Sequence, residues 1–106
     1  MNEINEILQE RGKRYGPYET TALIAQQLKM MMHETPSWHK LTAAQREGLE
    51  MIQHKIARIL NGDPNYTDSY MDIAGYATLI VQTMEDQNGT TVTGMAPGSF
   101  GPRNGI

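Results

Sequence analysis

The side chains best suited to chemistry fall in two stretches, residues 47–58 and 68–76. The first carries Glu47, Glu50, His54, Lys55 and Arg58. Residues three or four apart are neighbours on a helix, so 47, 50 and 54 share one face and 51, 55 and 58 another. The second carries Asp68 and Asp72, with Tyr76 continuing the row. If the two stretches form an antiparallel hairpin, Arg58 approaches Asp68 and Lys55 approaches Asp72. Such pairs can simply pin the hairpin, because lost solvation offsets most of the attraction between partly buried charges. The same cations can instead face a pocket. Lys and Arg suit phosphate, and the planar Arg fork adds bidentate contacts.

A third segment adds to the anion-binding option. Residues 11–18 read RGKRYGPY, which places Arg11, Lys13 and Arg14 beside Tyr15 and Tyr18. Tyr15, Tyr18 or Tyr76 could stack on a base or ribose. The candidate ligand-binding residues are therefore Lys55, Arg58, Arg14, Tyr15, Arg11 and Tyr76. Asp68, Asp72, Glu47 and Glu50 are candidates for structural ion pairs. Their alternative role is a metal site, since four carboxylates on two helices can hold Mg²⁺ and activate water. No catalytic residue is assigned, and no cofactor is expected outside that Mg²⁺ alternative. His33, His39 and His54 lack a shared ligand spacing. The sequence has no P-loop, nucleophile elbow or Rossmann fingerprint.

Helices must position these groups. Residues 2–10 read as a short amphipathic helix with Ile4, Ile7 and Leu8 on one side. Gly12, Gly16 and Pro17 predict a loop over residues 11–18. A second helix runs from about Glu19 to His33, with Ile24, Leu28 and Met31 at helical spacing, and Thr35-Pro36-Ser37 stops it. Trp38 is expected to anchor the following loop. Thr42 opens a third helix, with Gln45 at capping-box spacing. Leu49, Ile52, Ile56 and Ile59 form its expected core stripe, and Asn61-Gly62 its stop. A fourth helix begins near Thr67 or Asp68, and its expected buried face is Tyr70, Ile73, Ala77, Ile80 and Met84. From Asn88 onward, Gly and Pro recur too often for helix. Thr90 to Thr93 could form a short extended piece there, and Arg103 could reach a pocket. The expected fold is all-α, a small four-helix bundle-like domain over residues 1–87 with a Gly/Pro-rich tail over 88–106.

Composition sets further bounds. The chain has 106 residues, net charge −3 and no cysteine. One domain is expected, near the size where helical bundles gain stability by oligomerising, so a homo-oligomer is expected. The lack of cysteine suits the cytoplasm. No apolar run approaches the ~18 residues of a membrane span, and the polar start gives no sign of a signal peptide. The negative charge argues against nucleic acid as a partner. Eight methionines against one Phe and one Trp suggest a soft core or interface.

The order R-Y-G at Arg14-Tyr15-Gly16, K-I-A-R at Lys55-Ile56-Ala57-Arg58 and D-x-x-x-D-I-A-G-Y from Asp68 to Tyr76 resembles a family of small phage and prophage proteins. That family is similar to the nucleotide-modification-associated domains of phage. It is more distantly similar to the all-α nucleotide pyrophosphohydrolases of the MazG type. The resemblance implies a nucleotide-type ligand and a location in the cytoplasm of an infected or lysogenic bacterial host. MazG-type enzymes pair E-x-x-E with a later E-x-x-D. Glu47-x-x-Glu50 fits the first half, but Asp68-x-x-x-Asp72 departs from the second, which argues against Mg²⁺-dependent hydrolysis. By analogy with small phage proteins that capture bacterial nucleotide signals, the expected function is sequestration of a cyclic-nucleotide or ADP-ribose-type immune signal. The alternatives are a MazG-like pyrophosphohydrolase and a non-catalytic interaction module.

Overall fold

The computed structural model of the protein describes residues 2–88. They form four helices: α1 (Asn2–Tyr15), α2 (Tyr18–His33), α3 (Ala43–Asn61) and α4 (Thr67–Asn88), with one 3-10 turn at Trp38–Lys40. No strand occurs among the described residues. Asn88, expected to open the Gly/Pro-rich tail, is instead the last residue of α4, and residues 89–106 of that tail, including Thr90 to Thr93 and Arg103, lie outside the described residues.

The fold is the expected small all-α four-helix bundle. α3 is its centre, with α4 packed along one flank, α2 along another and α1 lying against α2 and α3. The start of α3 follows the capping-box reading. Gln45 N–H donates to Thr42 Oγ1 at 3.1 Å, and Thr42 N–H donates to Gln45 Oε1 at 2.8 Å. Two orphan donors of the first turn are thereby satisfied. Trp38 is buried and lies against the His33 ring at 4.6 Å. Its carbonyl accepts from Arg46 Nε, so the α2–α3 connection is anchored as expected.

Two expectations are corrected. Residues 11–15 are helical rather than looped. A single Gly12 costs a helix only about 1 kcal/mol, and the real break comes four residues later. Gly16 has φ 75°, in the left-handed region that glycine tolerates, and its N–H donates back to Gly12 O. Pro17 then starts α2 directly, its carbonyl accepting from Thr20 and Thr21. Gly16-Pro17 is thus a corner between two helices.

The second correction concerns the core. The expected stripes are not the buried positions. The buried apolar residues among those described are Ala25, Trp38 and Ala57, and Thr21, Gln53, Ser69 and Thr78 are buried polar ones. Ile56, Tyr70 and Met84 are exposed, and so is Ala77. Leu49, Ile52, Ile59, Ile73 and Ile80 are half-buried. The reason is steric. α3 meets α4 where Gly48 lies so close to the Ile80 side chain that a Cβ would collide with it. Small residues let the backbones approach, and the bulky stripes turn aside.

Gln53 is 3 % exposed, and neither of its amide atoms has a hydrogen-bond partner among the described residues. A buried unsatisfied amide costs about 1–3 kcal/mol. Gln53→Met keeps the shape and removes the polar atoms. It should raise the thermal midpoint by several degrees, at roughly 4–8 °C per kcal/mol for a domain of this size. Thermal unfolding followed by circular dichroism checks this, and a lowered midpoint would show that the amide is satisfied.

Candidate functional site

The corner between α1 and α2 is seated on the last turn of α3 by one side chain. The Asn61 amide nitrogen donates towards Tyr15 O at 3.1 Å, Pro17 O at 3.1 Å and Thr21 Oγ1 at 3.0 Å. Thr21 Oγ1 donates in turn to Tyr15 O at 3.1 Å. The next residue brings the chains closer still. A Cβ on Gly62 would collide with the Arg14 carbonyl and Tyr15 Cα, and Asp63 N–H donates to Arg14 O at 2.7 Å. The end of α1 is therefore fixed against the end of α3, and the RGKRYGPY side chains fan out around that junction.

Between α1, α2 and α3 lies a cleft of about 370 Å³. Leu8, Arg11, Gly12 and Tyr15 line it from α1, Tyr18 and Thr21 from α2, and His54 and Arg58 from α3. Gly16 and Pro17 complete the wall. That volume falls at the small end of the roughly 300–1,000 Å³ range of ligand pockets. The Arg58 guanidinium lies 4.4 Å over the centre of the Tyr15 ring. Stacking orients the guanidinium plane while leaving edge N–H groups for an anion. Among the described residues, no carboxylate lines the cleft.

His54 responds to this environment. Burial lowers its pKa below the ordinary 6.5, and the positive charges of Arg58, Lys55 and Lys29 lower it further. The imidazole is held neutral beside Arg58, where an arriving anion would favour its protonation.

Arg14 and Asp68 sit beside the cleft rather than in it, linked through Tyr66. Arg14 bridges Glu10 at 2.7 Å and the Tyr66 hydroxyl at 2.9 Å, and lies 4.9 Å over the Tyr66 ring. Tyr66 donates to Asp68 Oδ2 at 3.1 Å and meets Tyr15 edge to face at 6.2 Å. A shallower depression of about 270 Å³ next to the cleft is lined by Ile7, Glu10, Arg11, Arg14 and Tyr15. Tyr66 carries no motif signal, and position in the turn before α4 alone makes it a link between Arg14 and Asp68.

Of the residues picked from the sequence, Arg11, Tyr15 and Arg58 converge in the cleft, and Arg14 borders it. Lys55 and Tyr76 are placed elsewhere. Lys55 Nζ meets Asp72 Oδ2 at 3.0 Å in the seam between α3 and α4, as the hairpin reading anticipates. Tyr76 lines a small groove with Glu47 and Gly48. Glu50 meets His33 at 2.8 Å. Glu47, Glu50, Asp68 and Asp72 do not converge, and among the described residues no three His, Asp or Glu side chains are grouped as metal ligands. Sequence reasoning gave His54 no binding role and missed Tyr66 and Asn61. His54 was visible as a neighbour of Arg58 at i+4, but Asn61 read only as a helix stop.

A family model of a domain of unknown function, DUF6378, matches residues 1–84. The chain belongs to this family. The match takes in α1, α2 and α3, and so every residue lining the cleft. No curated protein and no solved structure matches the chain. No helix among the described residues is long and apolar enough to cross a membrane.

Two measurements probe this geometry. Asn61→Ala leaves the Tyr15 and Pro17 carbonyls without their shared donor, and should lower the urea unfolding free energy by about 1–3 kcal/mol. For His54, the folded pKa lies below the unfolded value of 6.5. The unfolded chain then takes up the proton first, so the His54 contribution is complete above pH 6.5 and is lost as pH falls through it. Between pH 7.5 and 5.5 the wild type should lose more stability than His54→Asn. Parallel curves would contradict the shift.

Proposed function

We propose that this protein is a nucleotide-binding homo-oligomer. It captures a phosphate-bearing nucleotide in the cleft between α1, α2 and α3 and performs no chemistry on it. The observation that carries this reading is the lining of the cleft: two guanidiniums, an imidazole and two tyrosine rings, with no carboxylate among the described residues, in a chain of net charge −3. Cations gathered against the sign of the whole molecule suit an anion. Arg58, steadied on Tyr15, offers its fork to phosphate, and Arg11 adds a second cation from α1. Tyr18 is 82 % exposed at the mouth, where its ring can fold over a base. A phosphate beside Arg58 favours the protonated form of His54. Lys55 stays with Asp72 and holds the hairpin.

The resemblance to phage nucleotide-modification-associated domains supports the same ligand class. It also supports the biological setting: a phage-encoded protein that sequesters a cyclic-nucleotide or ADP-ribose-type immune signal in the cytoplasm of an infected or lysogenic bacterium. The hydrolytic alternative needs metal-holding carboxylates brought together, and the described residues do not supply them.

The test is depletion and recovery. The protein is incubated with a panel of mononucleotides, cyclic dinucleotides and cyclic ADP-ribose isomers, with and without Mg²⁺, and then heat-denatured. Recovery of an intact, previously depleted nucleotide is the expected result. Mg²⁺-dependent cleavage would replace the reading with hydrolysis, and failure to deplete any nucleotide would overturn it. By calorimetry, Arg58→Ala should weaken binding more than tenfold, since hydrogen bonds to charged groups contribute about 1.5–3 kcal/mol. Lys55→Ala should leave the affinity almost unchanged.

A further inference from the structure

The apolar stripes that the sequence marks as core do not point in unrelated directions. α3 turns one side to α4, through Gly48 and Lys55, and another to α2, through Glu50 and Asn61. Its third side, at His54 and Arg58, faces the cleft. Steps of 100° per residue leave one direction, opposite the cleft, and it holds Ile56 and Leu60. The same construction on α2 and α4 uses Thr21 and Asp72 as the points of contact with α3. Both helices run antiparallel to α3, so their angular sense is reversed. Met31 of α2 and Ile73, Ala77 and Met84 of α4 consequently fall on the same side as Ile56 and Leu60.

Three adjacent helices thus present one apolar face. Met31 is 70 % exposed, Leu60 65 %, Met84 40 % and Ile56 37 %. The rows that carry them, at 20-24-27-31, 49-53-56-60 and 70-73-77-80-84, hold no charged residue. The opposite side carries Arg11, His54 and Arg58. On those four side chains alone the exposed area is on the order of 400 Å², within the 300–600 Å² of a typical monomer's largest patch. It is about half of the roughly 800 Å² that each partner contributes to a stable interface. Half-buried Leu49, Ile73 and Ile80 border the same patch. A domain normally closes its core between two layers; α2, α3 and α4 form one, and α1 covers it only on the cleft side.

We infer that a second copy of this chain docks on the face formed by Met31, Ile56, Leu60, Ile73, Ala77 and Met84, layer against layer, with the two clefts directed outward. An uncharged face complements itself without pairing like charges, which suits a two-fold interface. Met31 and Met84 supply side chains that adapt to a self-complementary contact. This inference deepens the homo-oligomeric part of the reading above by giving it a surface, and it leaves ligand capture to each chain.

The full chain is tested by sedimentation velocity over 1–100 µM, with Leu60→Glu against Ile4→Glu, an exposed apolar position on α1 (50 %). The expected result is a dimer for the wild type and Ile4→Glu, and a monomer of unchanged helicity for Leu60→Glu. A monomeric wild type, or a dimer that survives Leu60→Glu and dissociates with Ile4→Glu, overturns the inference. Because the chain has no cysteine, Leu60→Cys gives a second measurement that does not require breaking the interface. Spin labels there should report short label-to-label distances between copies. Immobilised labels on a monomer would show that the chain's own segment beyond residue 88 covers the face, and would also overturn it. Nucleotide binding by Leu60→Glu should match the wild type, so loss of the dimer and loss of the ligand are read separately.

Discussion

The structure depends on how the α1–α2 corner is fastened to the end of α3. One amide, Asn61, reaches three oxygens on that corner, and the hydrogens of Gly16 and Gly62 leave room for the backbones to touch. Without this contact α1 has little else to hold it, since Ile4, Ile7 and Leu8 are all at least half exposed. With it, Tyr15 is set under Arg58, and the wall of the cleft is closed by backbone that needs no side chain of its own. A directional polar contact decides the site here, while burial of apolar surface does comparatively little.

The same economy runs through the helix seams. α2, α3 and α4 meet through Thr21, Ala25, Gly48, Ala57 and an ion pair between Lys55 and Asp72. Small residues bring axes close and gain many weak contacts, but they remove little apolar area from water. Bulk is displaced to the outside. Charge is displaced the other way, so that the cations gather at the cleft and the opposite face is neutral. The two chemically distinct sides of the α2–α3–α4 layer follow from which residues are small.

Much of the local structure was legible. Thr42 and Gln45 announced the start of α3, because capping is a short-range hydrogen-bond pattern written into neighbouring residues, and turn residues marked its end at Asn61-Gly62 and the start of α4 near Thr67. Lys55 and Asp72 could be paired on paper from hairpin geometry. The α1 boundary was not legible: one glycine within a helix and one glycine ending it look alike until φ is known, and only Gly16 adopts the left-handed backbone. The buried faces were misread for a related reason. Periodicity finds the apolar side of a helix, but a lone sequence does not say whether that side meets the same chain or another molecule.

By itself, the sequence determined four helices, the capping box of α3 and the stock of cations and tyrosines, all properties of residues within a few positions of one another. The tertiary structure decided which of those side chains share a space. It parted Lys55 from Arg58, three residues apart, because 300° of helical rotation turns one to α4 and the other to the cleft. It joined Tyr15 to Arg58 across 43 positions, because Asn61 and two glycines let α1 lie against α3. Contacts of that range depend on close approach of backbones, which no spacing rule encodes.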